Sequence, residues 1–182
     1  MTGVQTCGSS DLRLRAAIDA AEGRGPGAHL SDASLRALFA ATRNIAIVGA
    51  SPRPDRPSHG VLLALAAAGW NILPVNPHPV ALASGIAGHP CYPSLTAAAA
   101  RLPDGERIDL VDVFRRPEDC AAVAREAVSI SARWLWLQLG IVDEASAQVA
   151  AEASMPFVQD RCTAIEVARL GIRSMFEGDR RG

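Results

Sequence analysis

Apolar residues along this chain gather into short blocks separated by turn-forming residues, and the blocks alternate between two periods. Residues 45–48, 71–75, 108–114, 133–139 and 156–159 are short, dominantly apolar runs, with the length and density of strands buried on both faces. Between them, residues 58–68, 94–101, 117–131, 143–153 and 162–170 read as helices, the first with Val61, Leu62, Leu65 and Ala68 inward. Pro117 suits the first position of its helix. Ahead of the first strand, Ser31 or Asp32 can cap a helix to about Thr42 with Leu35, Leu38 and Phe39 on one face. A loop with a short strand near Cys91-Tyr92 completes the pattern. Strands alternating with helices predict βαβ units with right-handed crossovers. The fold class is therefore α/β: a doubly wound parallel sheet of about five strands, three layers α/β/α, in a single domain.

Composition sharpens the boundaries. The chain has 182 residues and 49 % hydrophobic content, enough for one domain with a substantial core. The domain is expected over residues 29–172, between a disordered tail of residues 1–28 and a flexible tail of residues 173–182. The opening "MTGVQTCGSSDL" resembles translated sequencing-library adapter rather than native chain, and it lacks the basic and apolar regions of a signal peptide. "AEGRGPGAH" then marks a flexible boundary.

Charge removes whole classes of function. Net charge is −1, so no global field draws the chain to nucleic acid or to a membrane surface. Every basic residue is Arg, which excludes a Walker A lysine and Schiff-base chemistry. Residues 58–100 carry no Asp, Glu, Arg or Lys, but Pro74, Pro77, Pro79, Pro90 and Pro93 interrupt them and no run spans a bilayer. Cys7, Cys91, Cys120 and Cys162 show no CxxC and no metal-ligand cadence, and read as reduced cytoplasmic thiols.

In a doubly wound sheet, ligands bind beyond the carboxyl ends of the strands, at the switch point beside the first. After the first strand, Gly49 permits a tight turn into Ala50 and Ser51. Ser58-His59-Gly60 then opens a helix whose free N–H groups attract an anion. Gly60 is expected to let that helix start lie close against ligand and strand, and His59 is a candidate phosphate donor. Arg53 and Arg56 add charge suited to phosphate, while Pro52, Pro54 and Pro57 stiffen the loop. The alternative is an ordinary connector with solvated arginines.

Two diagnostic positions count against a nicotinamide cofactor. The loop lacks GxGxxG, and the second strand ends in Asn76-Pro77 rather than an acid. After the third strand, Val113, Phe114, Arg115 and Arg116 combine an adenine-sized aromatic with two phosphate-binding side chains. Asp109 and Asp112, three apart on a strand, point to opposite faces and form no acid–base pair. Asp112 reads as hydrogen-bonded structure. Gln138 and Gly140 close the fourth strand, with Trp134 and Trp136 as packing. Cys162 has no His beside it in sequence and is not read as a nucleophile.

The segments "IAIVGASPRPDRPSHGV", "GWNILPVNP", "CYPSL", "DLVDVFRRPED", "WLWLQLGI" and "VQDRCTAIE" occur in series from Ile45 to Glu166. In that order the chain resembles the small bacterial CoA-binding proteins, relatives of the CoA-binding domain of the succinyl-CoA synthetase α-subunit. The resemblance implies a Rossmann-like domain with the CoA pyrophosphate at Gly49 to Gly60. It places the adenosine end near Asn76, Pro77 and residues 113–116. Two departures stand out: His78 follows Asn-Pro where a basic residue is often found, and Val167 follows Glu166 where the family has His or an aromatic residue. The synthetase's chemistry needs a phosphorylated His from another domain and a partner subunit, for which this chain has no room. The expected function is therefore binding of coenzyme A or an acyl-CoA without catalysis, with neither nucleic acid nor membrane as partner. A homo-oligomer or protein partner is left open. The alternatives are an NAD(P)-linked oxidoreductase and a structural Rossmann remnant with an empty site.

Overall fold

The computed structural model describes residues 30–176, so the expected tail of residues 1–28 lies outside the described residues. The apolar runs become β1 (Asn44–Val48), β2 (Asn71–Val75), β3 (Leu110–Val113), β4 (Trp134–Leu137) and β5 (Phe157–Val158). They form one five-stranded sheet, parallel throughout, in the order β2-β1-β3-β4-β5. The helices are α1 (Asp32–Ala40), α2 (Pro57–Ala67), α3 (Pro79–Ser84), α4 (Leu95–Ala99), α5 (Pro117–Ser129), α6 (Glu144–Glu152) and α7 (Thr163–Leu170).

Strand side chains alternate between faces, and here both faces are apolar. Ile45, Ile47, Leu110, Trp136 and Val158 pack with Leu38 and Phe39 of α1, Leu62 and Leu65 of α2, and Val167 and Leu170 of α7. Ala46, Val48, Val111, Val113, Leu135 and Leu137 pack with Leu95 of α4, Ala124 of α5 and Ala150 of α6. That two-sided burial is why the strands read as unbroken apolar runs. Phe39 anchors the first core, with ring centroids 5.4 Å from Trp70 and 6.0 Å from Trp136.

The chain leaves β1 for β2 at one edge and returns to β3 on the other side of β1. The connections that leave these strands pack helices on opposite faces, so their loops separate and leave a crevice above the carboxyl ends. The switch point expected from the alternation is therefore formed.

Differences from the expected elements are local. Helix α3 lies in what reads as loop: it is six residues long, begins at Pro79 just after Pro77, and lacks a helical apolar stripe. His78 caps it, with Nδ1 accepting the Val80 N–H. The short strand at residues 91–92 is reduced to a single parallel bridge between Val75 and Tyr92. It covers the outer edge of β2, where Tyr92 N–H donates to the Pro74 carbonyl. Pro74 is tolerated inside β2 because an edge strand can spare one donor. Packing continues past the expected boundary at residue 172. The Ser174 N–H donates to Ala68 O, and the Arg43 guanidinium lies over the Phe176 ring.

An ion cluster ties the last helix to the first. Arg169 of α7 bonds both Asp32 of α1 and Glu166, and Arg161 closes on Glu166 at 3.0 Å. Burial pushes the Glu166 carboxyl upward, but hydrogen bonds from Arg169 and Arg161 outweigh it and hold the group below its usual range. Among the described residues no helix is long and apolar enough to cross a membrane.

Two glycines of the β1–α2 segment differ in what they do. Gly49 has φ +84°, and a Cβ there would lie 2.5 Å from the Phe114 carbonyl oxygen. Gly60 is exposed on α2 and a Cβ there meets nothing within 4 Å, so the expected close packing of Gly60 against strand is corrected. Gly49→Ala is expected to lose about 2 kcal/mol of unfolding free energy through backbone strain alone. Gly60→Ala is expected to gain about 0.5–1 kcal/mol, as helix-interior glycines do. Urea unfolding of both variants without ligand checks the opposite signs; a loss at both positions contradicts this assignment.

Candidate functional site

Gly49 ends β1 and lets the chain turn sharply under the carbonyl of Phe114, which follows β3. This close approach sets the floor of an open cleft of about 660 Å³ at the carboxyl ends of the strands. Its walls come from every loop the sheet order gathers there. Ser51, Arg56 and Ser58 follow β1, and Asn76 follows β2. Phe114, Arg115 and Arg116 follow β3, Leu139 and Ile141 follow β4, and Cys162 and Ile165 follow β5.

Three helices begin at this cleft, and their starts share one property. Arg56 before α2, Arg116 before α5 and Cys162 before α7 offer no side-chain hydrogen bond to the helix N-terminus. The other helices are capped by Ser31, His78, Ser94 and Asp143. Uncapped helix starts present backbone N–H groups and the positive end of the helix dipole. Arg56 adds a cation with no ion pair among the described residues, since Arg53 is the partner of Asp55 at 2.7 Å. Arg115 and Arg116 are held near the opening by Asp119, at 3.3 and 3.4 Å, and Arg116 also meets Glu118.

The floor is polar but closed. Asp112 of β3 is fully buried and accepts hydrogen bonds from Gln138 Nε2 at 2.7 Å and Thr163 Oγ1 at 2.9 Å. Burial pushes its carboxyl from the ordinary 3.8 up to about 7, against the pull of Gln138 and Thr163. Burial likewise pushes the Cys120 thiol up to about 11 and the Cys91 thiol upward. Asp109 lies at the other end of β3, where its carboxylate accepts the N–H groups of Arg43 and Asn44.

Of the residues named from sequence, Gly49, Ser51, Arg56, Ser58, Asn76, Phe114, Arg115, Arg116 and Gln138 line the cleft. The others surround it. Ala50 is buried and its carbonyl accepts Asn76 Nδ2 at 2.7 Å, which ties β2 to the β1 loop. His59 Nδ1 lies 2.9 Å from Ser51 O; a carbonyl only accepts, so the contact requires the Nδ1–H form. Val113 is buried in the second core, while Pro77 lies exposed beside Asn76. Arg53 turns onto Asp55, and Gly60 faces open space on α2. Gly140, with φ +80°, donates its N–H to Asp160.

Sequence reading missed Val61, Leu139, Ile141 and Ile165 as cleft residues. They look like core positions, and only the sheet order brings them to the opening. Among the described residues no group of three His, Cys, Asp or Glu side chains could hold a metal ion.

A parallel, doubly wound sheet with a crevice at its switch point defines the class: a Rossmann-like α/β domain. Residues 43–168 match the family model described as CoA binding domain, and the chain belongs to that family. It is 36 % identical over 132 residues to the uncharacterized protein YneT of Bacillus subtilis (strain 168), covering 72 % of this chain and 90 % of that one. A protein of Thermus thermophilus of known structure is 33 % identical, with a TM-score of 0.68 over 78 % of this chain and 99 % of that one. A hypothetical protein from Pyrococcus horikoshii OT3 is 30 % identical, with a TM-score of 0.68 over 78 % of this chain and 93 % of that one.

The buried carboxyl makes a prediction. In the unfolded chain Asp112 titrates near 3.8 and in the fold near 7, so between these values the folded state holds the extra proton. Stability from this group is fully present below about pH 4 and is lost as pH rises through 7. Unfolding free energy is therefore expected to carry a downward slope between about pH 4 and pH 7 that Asp112→Asn removes. Chemical denaturation of both proteins across that range checks it; an identical slope in the two contradicts the assignment to Asp112.

Proposed function

We propose that the cleft binds coenzyme A or an acyl-CoA, and that the domain acts as a binding module without catalysis of its own. The observation that carries this reading is the convergence of three uncapped helix starts on one crevice, with Arg56, Arg115 and Arg116 at its rim. Such a rim suits the phosphates of an adenine nucleotide. Membership of the CoA-binding domain family supports CoA as that nucleotide. At the end of β2, Asn76 donates to Ala50 O through Nδ2 and accepts the His78 N–H at Oδ1. That position offers no carboxylate for the ribose hydroxyls of NAD.

In this arrangement the pyrophosphate lies against the start of α2 and Arg56, and Phe114 flanks the adenine. Beneath the floor, Asp112 is engaged in its closed network and Cys120 turns its Sγ–H toward Arg116 O at 3.3 Å. Cys162 lines the cleft, but among the described residues no general base is hydrogen-bonded to its thiol.

CoA at 100 times its Kd is expected to add about 2.7 kcal/mol to unfolding free energy, read as a rise in melting temperature, with NAD giving none. Arg56→Ala removes one charge-assisted hydrogen bond and is expected to weaken CoA roughly ten-fold to hundred-fold, with little change in stability without ligand. Thermal shift and isothermal titration check both. An equal shift with NAD, or unchanged CoA affinity in Arg56→Ala, overturns this reading.

A further inference from the structure

We infer that the part of the cleft above β4 and β5 takes an aliphatic acyl chain, so that the preferred ligand is an acyl-CoA thioester rather than free CoA. This rests on the CoA reading above and goes further by assigning the acyl class. The sheet order lays the lining out in sequence. Arg56, Arg115 and Arg116 come from the loops after β1 and β3; Leu139 and Ile141 follow β4, and Cys162 and Ile165 follow β5. From β1 to β5 the strand spacing covers roughly 14 Å. The cleft therefore has a cationic end and an apolar end, matching a ligand with phosphates at one end and hydrocarbon at the other.

The charged groups Asp160, Arg161 and Glu166 near the apolar end are engaged with other protein groups. Arg161 bonds Glu166 and the Leu30 carbonyl, and Glu166 is shared with Arg169. Asp160 accepts the Gly140 N–H at 2.7 Å. Gln138, the polar side chain at this end, has Nε2 committed to Asp112 and Thr163. Apart from the N–H groups at the α7 start, which a thioester carbonyl can use, the terminal thiol of free CoA finds few partners here, and methylene groups need none.

The apolar groups are exposed on a braced frame. Leu139 is 62 % exposed and Ile165 is 56 % exposed. The loop carrying Leu139 and Ile141 is pinned to the end of β5 by three contacts. Gly140 N–H donates to Asp160 Oδ1, Asp160 N–H donates to Ile141 O, and Asp143 N–H donates to Gln159 Oε1. Asp160 adopts φ +55° to make them, a conformation that Asp tolerates better than most residues. Exposed apolar side chains held in place at the rim of a cleft gain by covering, and the ligand that already enters the cleft can supply the cover.

Isothermal titration with CoA, acetyl-CoA, butyryl-CoA and hexanoyl-CoA tests this. Affinity is expected to rise along the series, with butyryl-CoA up to about fifteen-fold tighter than acetyl-CoA, since each of its two extra methylenes is worth about four-fold if fully buried. In Leu139→Asn/Ile165→Asn the gradient flattens. A flat series in the wild type, with CoA itself bound, overturns the acyl assignment and leaves the CoA reading standing. A flat series together with self-association that the double variant abolishes gives the apolar rim to a second copy of the chain, and also overturns it. Binding of none of the four overturns both.

Discussion

The carboxyl of Asp112 sits without solvent contact beneath the cleft, held by Gln138 from the end of β4 and Thr163 from the first turn of α7. It joins three elements that the chain order separates by dozens of residues. A buried carboxyl with two good donors is tolerable; the same group without them carries the full desolvation penalty. The network therefore fixes how β3, β4 and α7 meet. Everything that lines the β4–β5 half of the cleft hangs from those elements. The remaining neighbours of this floor obey the same rule: Trp136 Nε1 donates to the Arg161 carbonyl, which holds the β5–α7 turn in place.

On the other half, the constraint is close approach rather than hydrogen bonding. Gly49 allows the β1 loop to pass directly under the Phe114 carbonyl, so the α2 start and the arginines after β3 share one opening. Asn76 braces the same loop from β2 through Ala50. The result is a hydrogen-bonded floor, with Arg115 and Arg116 at the rim, where their side chains are substantially exposed. Such an arrangement suits an anionic ligand: little ordering is needed beneath it, and the arginines can exchange Asp119 for phosphate.

Much of this was legible in the sequence, for identifiable reasons. Two-sided burial made each strand a continuous apolar run, and Gly and Pro punctuated the chain between them. The turn at Gly49, the helix start at Pro117 and the cap at Ser31 each have a local chemical signature. Asp112 was readable as hydrogen-bonded structure from its place near the strand end, and the three-residue spacing from Asp109 excluded an acid–base pair. Helix α3 was not readable, being short, flanked by prolines and without a stripe. Gly60 misled for a related reason: glycine after a phosphate loop suggests close approach, yet its neighbours in space leave it open.

The sequence alone thus determined the layers, the five strands and every helix but α3, and the family that its six motifs resemble. All of these follow from local periodicity and local motifs. Tertiary structure decided which side chains face the cleft and which are already taken. Arg53 and Arg56 are equivalent as text, but among the described residues only Arg53 is ion-paired, with Asp55. Leu139 and Ile165 belong to ordinary apolar segments, and parallel pairing of β3, β4 and β5 brings both to the opening. Exposure, pairing and proximity depend on contacts between residues far apart in the chain, and no local pattern encodes those.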